Sequence, residues 1–153
     1  MATDFPVIEE LIPHRGSLLL LDRVVDFAGA TVMAEYTPRS DAWYVDADGN
    51  MPAWIGLELM AQAIAAHVAL EKRLSGLPPK MGALLGTRSY RSSAAAFVAG
   101  SPLTLRATQI MCDPGGLAAY ECTIESGGIT LAEAVLKAYE PEDFETFMRS
   151  NKQ

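Results

Sequence analysis

Residues 51–74, MPAWIGLELMAQAIAAHVALEKRL, are almost wholly apolar, yet they carry Glu58 and Gln62, side chains of the types that move and hold protons. Four apart, the two stack on one face of a helix. A carboxylate set among Leu57, Leu59 and Met60 is costly to bury unless it is paired, hydrogen-bonded or used. The Gln62 amide can hold it, or the neighbouring loop, by hydrogen bonds. For a second proton-transfer group the chain offers His14, in PHRG, and Tyr44, in WYV. His14 also reads as a hydrogen-bonded structural histidine. Tyr44 can donate a proton but is a poor base near neutral pH, since a phenol titrates near ~10, and it reads equally as an aromatic lining residue. His67 lies nine residues beyond Glu58 on the opposite face of the helix, which gives it a core or interface role. Trp43, Met51, Trp54 and Met60 are large enough to line an apolar tunnel, or simply to fill a core.

These groups need a scaffold, and the 51–74 stretch is its centre. Apolar residues point in nearly every direction of its helical wheel, so the helix is expected to be buried all round. Pro52 suits a first helical position, and Ser75-Gly76 followed by Pro78-Pro79 predicts a left-handed cap. Before it, residues 5–12 predict a short helix or turn that Pro13 ends. PHRGSLLLLDRVVDF then passes into a strand, and residues 31–38 return as the second arm of a hairpin through Ala28-Gly29. Residues 43–45 read as an extended fragment and 46–50 as a turn. After the helix, residues 80–92 read as a strand bent at Gly86. Residues 103–111, 117–125 and 129–138 follow as an antiparallel meander joined by Asp-Pro-Gly-Gly and Ser-Gly-Gly turns. Residues 142–149, with Phe144, Phe147 and Met148 at helical spacing, predict a short terminal helix. A long buried helix between a hairpin and a meander makes an α+β domain in which a sheet curls around one helix, and no linker divides residues 1–153.

With 153 residues the chain can bury a sizeable core. Twelve Lys and Arg against 19 Asp and Glu leave a net charge of −7, which argues against a nucleic-acid surface. No signal-like start and no unbroken run of some twenty apolar residues is present, so a cytoplasmic protein without a membrane partner is expected. On the meander, Cys122 falls opposite Ala107 or Thr108 and Cys112 near Leu117, poorly placed for a disulfide. Two thiols without a histidine cluster make no zinc site, and neither metal nor cofactor is expected.

Two segments, IPHRGSLLLLDRV (residues 12–24) and MPAWIGLELMAQ (residues 51–62), with the later Arg91 and Gly100-Ser101-Pro102-Leu103, resemble the 3-hydroxyacyl-acyl-carrier-protein dehydratases of fatty-acid synthesis. The resemblance covers about residues 11–139. It implies the hotdog fold, a dimer whose sheets join edge to edge, sites at the dimer interface, and an acyl carrier protein bearing a 3-hydroxyacyl chain as partner. It also implies an acidic residue on the helix, here Glu58, and a histidine on the loop before it, a position that here holds Tyr44. With Gln62, Trp43, Met51 and Trp54 as substrate-binding candidates, the leading expectation is a dehydratase of fatty-acid or polyketide-type synthesis.

The missing loop histidine favours a second reading, a catalytically weakened subunit that pairs with an active homologue and contributes one wall of a shared site. A third is an acyl thioesterase on the same fold, with the helix carboxylate as base or nucleophile. Contact between an acidic enzyme and an acidic carrier calls for a local basic cluster, for which Lys80, Arg88, Arg91 and Arg106 are the candidates.

Overall fold

The computed structural model describes residues 4–78 and 83–140; the expected helix at 142–149 and Lys80 lie outside them. A one-turn helix α1 (Ile8–Leu11) opens the chain, and a 3₁₀ turn (Gly16–Leu18) leads toward the hairpin of β1 (Arg23–Ala28) and β2 (Thr31–Tyr36). Gly29 takes a positive φ at its turn. A two-residue strand β3 (Met51–Pro52) and a 3₁₀ turn (Ala53–Ile55) precede α2 (Gly56–Leu74). Then come β4 (Ala83–Ser92), β5 (Ala96–Phe97), β6 (Leu103–Cys112), β7 (Leu117–Ser126) and β8 (Ile129–Tyr139). Six strands form one sheet in the order β1-β2-β6-β7-β8-β4, antiparallel throughout, and β3 pairs with β5 apart from it. The sheet wraps α2, which is the expected hotdog arrangement.

The meander lies within a residue or so of its expected bounds, because alternating apolar positions and glycine turns specify both face and register locally. Cys122 pairs with Ala107 and Cys112 with Ala118, and both thiols are free. The register of β4 slips beside Gly86, where a bend was expected. Two expectations fail. Residues 43–45 are turns, held by Ala42 N–H to Arg39 O (3.3 Å) and Val45 N–H to Ala42 O (3.4 Å), not an extended fragment. Pro52 precedes the 3₁₀ turn rather than opening α2, since its carbonyl side is extended (ψ 139°).

The C-terminus of α2 is a Schellman cap: Gly76 (φ 66°) donates to Arg73 O and Leu77 to Lys72 O. At the other end, Gly56 is required by packing, because a Cβ there would stand 2.2 Å from the Tyr90 hydroxyl and 2.9 Å from Ile124 Cδ1. Tyr90, on β4, donates a short hydrogen bond to Ala53 O and so ties the edge strand to the start of the helix.

Inside, His67 is fully buried. Its Nε2–H donates to Gly29 O (3.0 Å), and its Nδ1 lies 2.8 Å from the Tyr120 hydroxyl, which accepts from Gln109 Nε2 (3.2 Å), and 3.3 Å from Glu71 Oε1. Its core role is met. The helix is not buried all round, however. Leu57, Ala61, Ala65, Val68 and Ala69 are only partly covered, and the last four face a cavity.

Burial raises the Tyr90 phenol from 10.0 to about 12 and the Cys122 thiol from 9.0 to about 12. Both folded groups hold their protons more tightly than the unfolded chain does. Their stabilisation is therefore complete below pH 9 and is lost as the pH rises from there toward 12. Thermal melts across pH 8 to 11 should show a falling Tm on the alkaline side. A Tm that holds level there would contradict the burial of these two groups.

Candidate active site

Site geometry follows from three chain segments that meet at the first turns of α2. Gln62 is wholly buried, and all its hydrogen-bonding capacity is used. Its Oε1 accepts from Leu20 N–H (3.0 Å) and Leu21 N–H (3.2 Å), while Nε2 donates to Leu18 O (2.8 Å) and Glu58 Oε1 (3.1 Å). Three of these partners are backbone, so the amide cannot flip, and an N–H is held permanently toward the carboxylate. The expectation that Gln62 holds Glu58 or the loop is met on both counts.

Glu58 itself is half-exposed, with 48% of its side chain accessible, which corrects the picture of a carboxylate inside an all-apolar cylinder. It stands on the uncovered flank of α2, one turn below Gln62. Its Oε1 also lies 3.4 Å from His14 Nε2. The other oxygen has no hydrogen-bond partner among the described residues and is open to a reacting group.

His14 is brought there by the turn after α1, and that turn is clamped by one side chain. The Arg15 guanidinium donates to Glu9 O (2.6 Å), Ile12 O (2.7 Å) and His14 O (2.7 Å), tying the turn to a carbonyl of α1. The His14 imidazole is three-quarters covered. Spacing along the chain, 44 residues between His14 and Glu58, gave no sign that the two would meet.

Tyr44 does not join them. Its ring is buried, and its hydroxyl lies 2.5 Å from that of Tyr36 and accepts from Arg39 N–H (3.0 Å). Burial and the neighbouring Tyr44 push the Tyr36 phenol well above its ordinary range, and the two hydroxyls together brace the loop of residues 37–50. Trp43 and Trp54 are exposed, the former donating Nε1–H to Ser17 O (2.8 Å), while Met51 and Met60 are core residues. None of Trp43, Tyr44, Met51 or Trp54 borders the cavity.

That cavity, about 560 Å³, runs along the uncovered flank of α2. It starts at Glu58 and His14, passes Ala61, Ala65 and Ala69, and ends at Lys72, whose ammonium pairs with Glu140 at 2.7 Å. The opposite wall is made by β7, β8 and the segment after α1. The alanines were visible in the sequence as a repeat every four residues, the one signal that marked this flank.

Of the expected basic cluster, the Arg88 side chain and Lys80 lie outside the described set. Arg91 reaches Glu133 at 3.4 Å, and Arg106 is separated from it by β7 and β8, so the strand face between them carries both signs. Among the described residues no cluster of His, Cys, Asp and Glu could hold a metal.

Comparison with known proteins identifies the fold and the family. A 3-hydroxyacyl-[acyl-carrier-protein] dehydratase, FabZ, of Brucella ovis is 29% identical over 143 residues, spanning 90% of this chain and 88% of that one; its Brucella suis counterpart matches equally. The solved dehydratase heterocomplex ApeI:P from Xenorhabdus doucetiae superposes with a TM-score of 0.88 at 26% identity, covering 97% of this chain and 99% of the other. A hypothetical thioesterase from Streptococcus pneumoniae, solved with coenzyme A, shares the fold alone, at 13% identity and a TM-score of 0.62 over 77% of this chain and 84% of that one. The model of the ApeP dehydratases matches residues 6–149, so a chain that presents a tethered carboxylate at the start of a hotdog helix belongs to the ApeP-like dehydratase family.

Proposed function

We propose that the chain acts in the dehydration of 3-hydroxyacyl groups carried on acyl carrier protein, with Glu58 as its proton-transfer residue. The observation that carries this is the Glu58 carboxylate, one oxygen held by Gln62 and faced by His14, the other open to the cavity. Dehydration takes a proton from C2, breaks the C3–O bond and releases the hydroxyl, with a delivered proton, as water, leaving a 2,3-double bond. Each proton movement needs a positioned group. Glu58 supplies one. His14, 3.4 Å away, is the second titratable side chain that the described residues place beside it.

Tyr44 occupies the place of the loop histidine implied by the resemblance, and its hydroxyl is committed to Tyr36 and Arg39. This supports a paired arrangement in which a second hotdog subunit completes the site, as the heterocomplex named for the structural relative suggests. The sheet ends on β4, an edge strand able to pair with another copy or a homologue.

The test is to incubate the purified chain with a 3-hydroxyacyl carrier-protein thioester, alone and with a homologous hotdog subunit, and to follow mass. Loss of one water from the acyl group is expected, in the mixture at the least. Loss of the whole acyl group would mean a thioesterase, and an unchanged mass under both conditions would refute the proposal.

A further inference from the structure

We infer that Arg15 is a positioning residue for the reaction: its guanidinium holds the turn that presents His14 to Glu58, and the rate depends on it through that pair. The inference rests on the dehydratase reading for the reaction, and on hydrogen bonds for the geometry. An imidazole that moves protons is ordinarily oriented by a hydrogen bond on its second ring nitrogen. His14 has none. Its Nε2 lies 3.4 Å from Glu58 Oε1, while its Nδ1 is buried without a hydrogen-bond partner among the described residues. The direction of the ring therefore depends on the main chain that carries it.

That main chain has little regular structure to fix it. Helix α1 is a single turn, Ile12 beyond it is extended (φ −120°, ψ 152°), and Pro13 has no N–H to donate. Arg15 supplies the missing bonds. Its Nη1 donates to Ile12 O and His14 O, both at 2.7 Å and on either side of Pro13, and its Nη2 reaches back to Glu9 O at 2.6 Å. Two nitrogens of one planar fork serve these three carbonyls, whereas a lysine ammonium can occupy only one of the two places. The Arg15 carbonyl then accepts from Leu18 N–H (3.2 Å), and Gln62 takes over at Leu18 O, Leu20 N–H and Leu21 N–H. The segment is fastened from Glu9 to Leu21, with His14 in the stretch that Arg15 holds and Glu58 on the amide that holds the rest.

The experiment is a pair of double-mutant cycles on the full chain. The first reads position by proton NMR, since the chain has only 2 histidines and His14→Ala assigns their ring signals. Glu58→Gln should shift the His14 signal in the parent chain and leave it unmoved in Arg15→Ala. The signal of buried His67 should stay in place throughout, which shows that the variants are folded. The second cycle reads turnover of a 3-hydroxyacyl carrier-protein thioester, with a homologous hotdog subunit added where one is needed. Arg15→Ala should lower kcat by roughly 10- to 100-fold, the scale of a misplacement of about 1 Å, and KM far less. Arg15→Lys should lose nearly as much, and methylguanidinium, but not methylammonium, should restore part of the rate to Arg15→Ala. In the His14→Ala background Arg15→Ala should cost nothing further, where a merely structural residue would lower the rate again. A His14 signal that answers Glu58→Gln equally with and without Arg15, additive losses of rate, or full rate in Arg15→Ala or His14→Ala would overturn the inference. If no chain releases water, the dehydratase reading falls, and the first cycle still decides whether Arg15 sets the pair.

Discussion

Replacing Glu58 with Gln should lower the rate of water loss from a 3-hydroxyacyl thioester by about 10²-fold or more, the usual worth of a positioned acid or base, and barely change stability. The substitution keeps the shape of the side chain and an oxygen for Gln62 to donate to, and removes only the titratable proton. Because the carboxylate is half-exposed, its replacement leaves no buried charge unpaired and no cavity. His14→Ala and Tyr44→Phe are the informative companions. A comparable loss in His14→Ala would make it the second proton-transfer group. Tyr44→Phe should retain most activity and lose some stability, because its hydroxyl is spent on Tyr36 and Arg39. If neither companion matters while Glu58→Gln is inactive, the second group belongs to a partner subunit. Full turnover in Glu58→Gln would make this carboxylate structural and end the case for catalysis by this chain.

Gln62→Leu should have the largest effect on stability of any single exchange near the site. Leucine matches the volume closely, so little packing is lost, but Leu20 N–H and Leu21 N–H lose their partner in a buried setting and Leu18 O loses its partner in a part-buried one. Each buried group left unpaired costs on the order of 1–3 kcal/mol, so about 3 kcal/mol in total is a conservative expectation. Urea unfolding should show a clear drop in midpoint with the slope unchanged. Activity should fall as well, because residues 18–21 and Glu58 are held through the same amide. A midpoint equal to that of the parent chain would show that water or a rearranged loop satisfies those groups, and that the amide is not what joins the N-terminal segment to the helix.

Sequence and structure divide the credit along a physical line. The long helix, its left-handed stop at Gly76 and the three-stranded meander were legible because each follows from local rules: apolar period, glycine at positive φ, turn residues between alternating runs. Glu58 and Gln62 were legible for the same reason, two polar groups one turn apart in an apolar helix. Burial was misjudged on one flank, since a helical wheel reports which residues are apolar and not which of them find a neighbour. The exposed Trp43 and Trp54, and the core positions of Met51 and Met60, reflect the same gap.

By itself, then, the sequence determined the hotdog elements, their order and the polar pair, Glu58 and Gln62, on the helix. Tertiary structure alone decided that His14, not Tyr44, faces Glu58, that Gln62 fastens a segment more than forty residues away, and that the open space lies along the Ala61, Ala65 and Ala69 flank of the helix. The reason is that local pattern fixes which face a side chain lies on. Which distant segment meets that face depends on how the sheet curls and where the N-terminal turn is clamped.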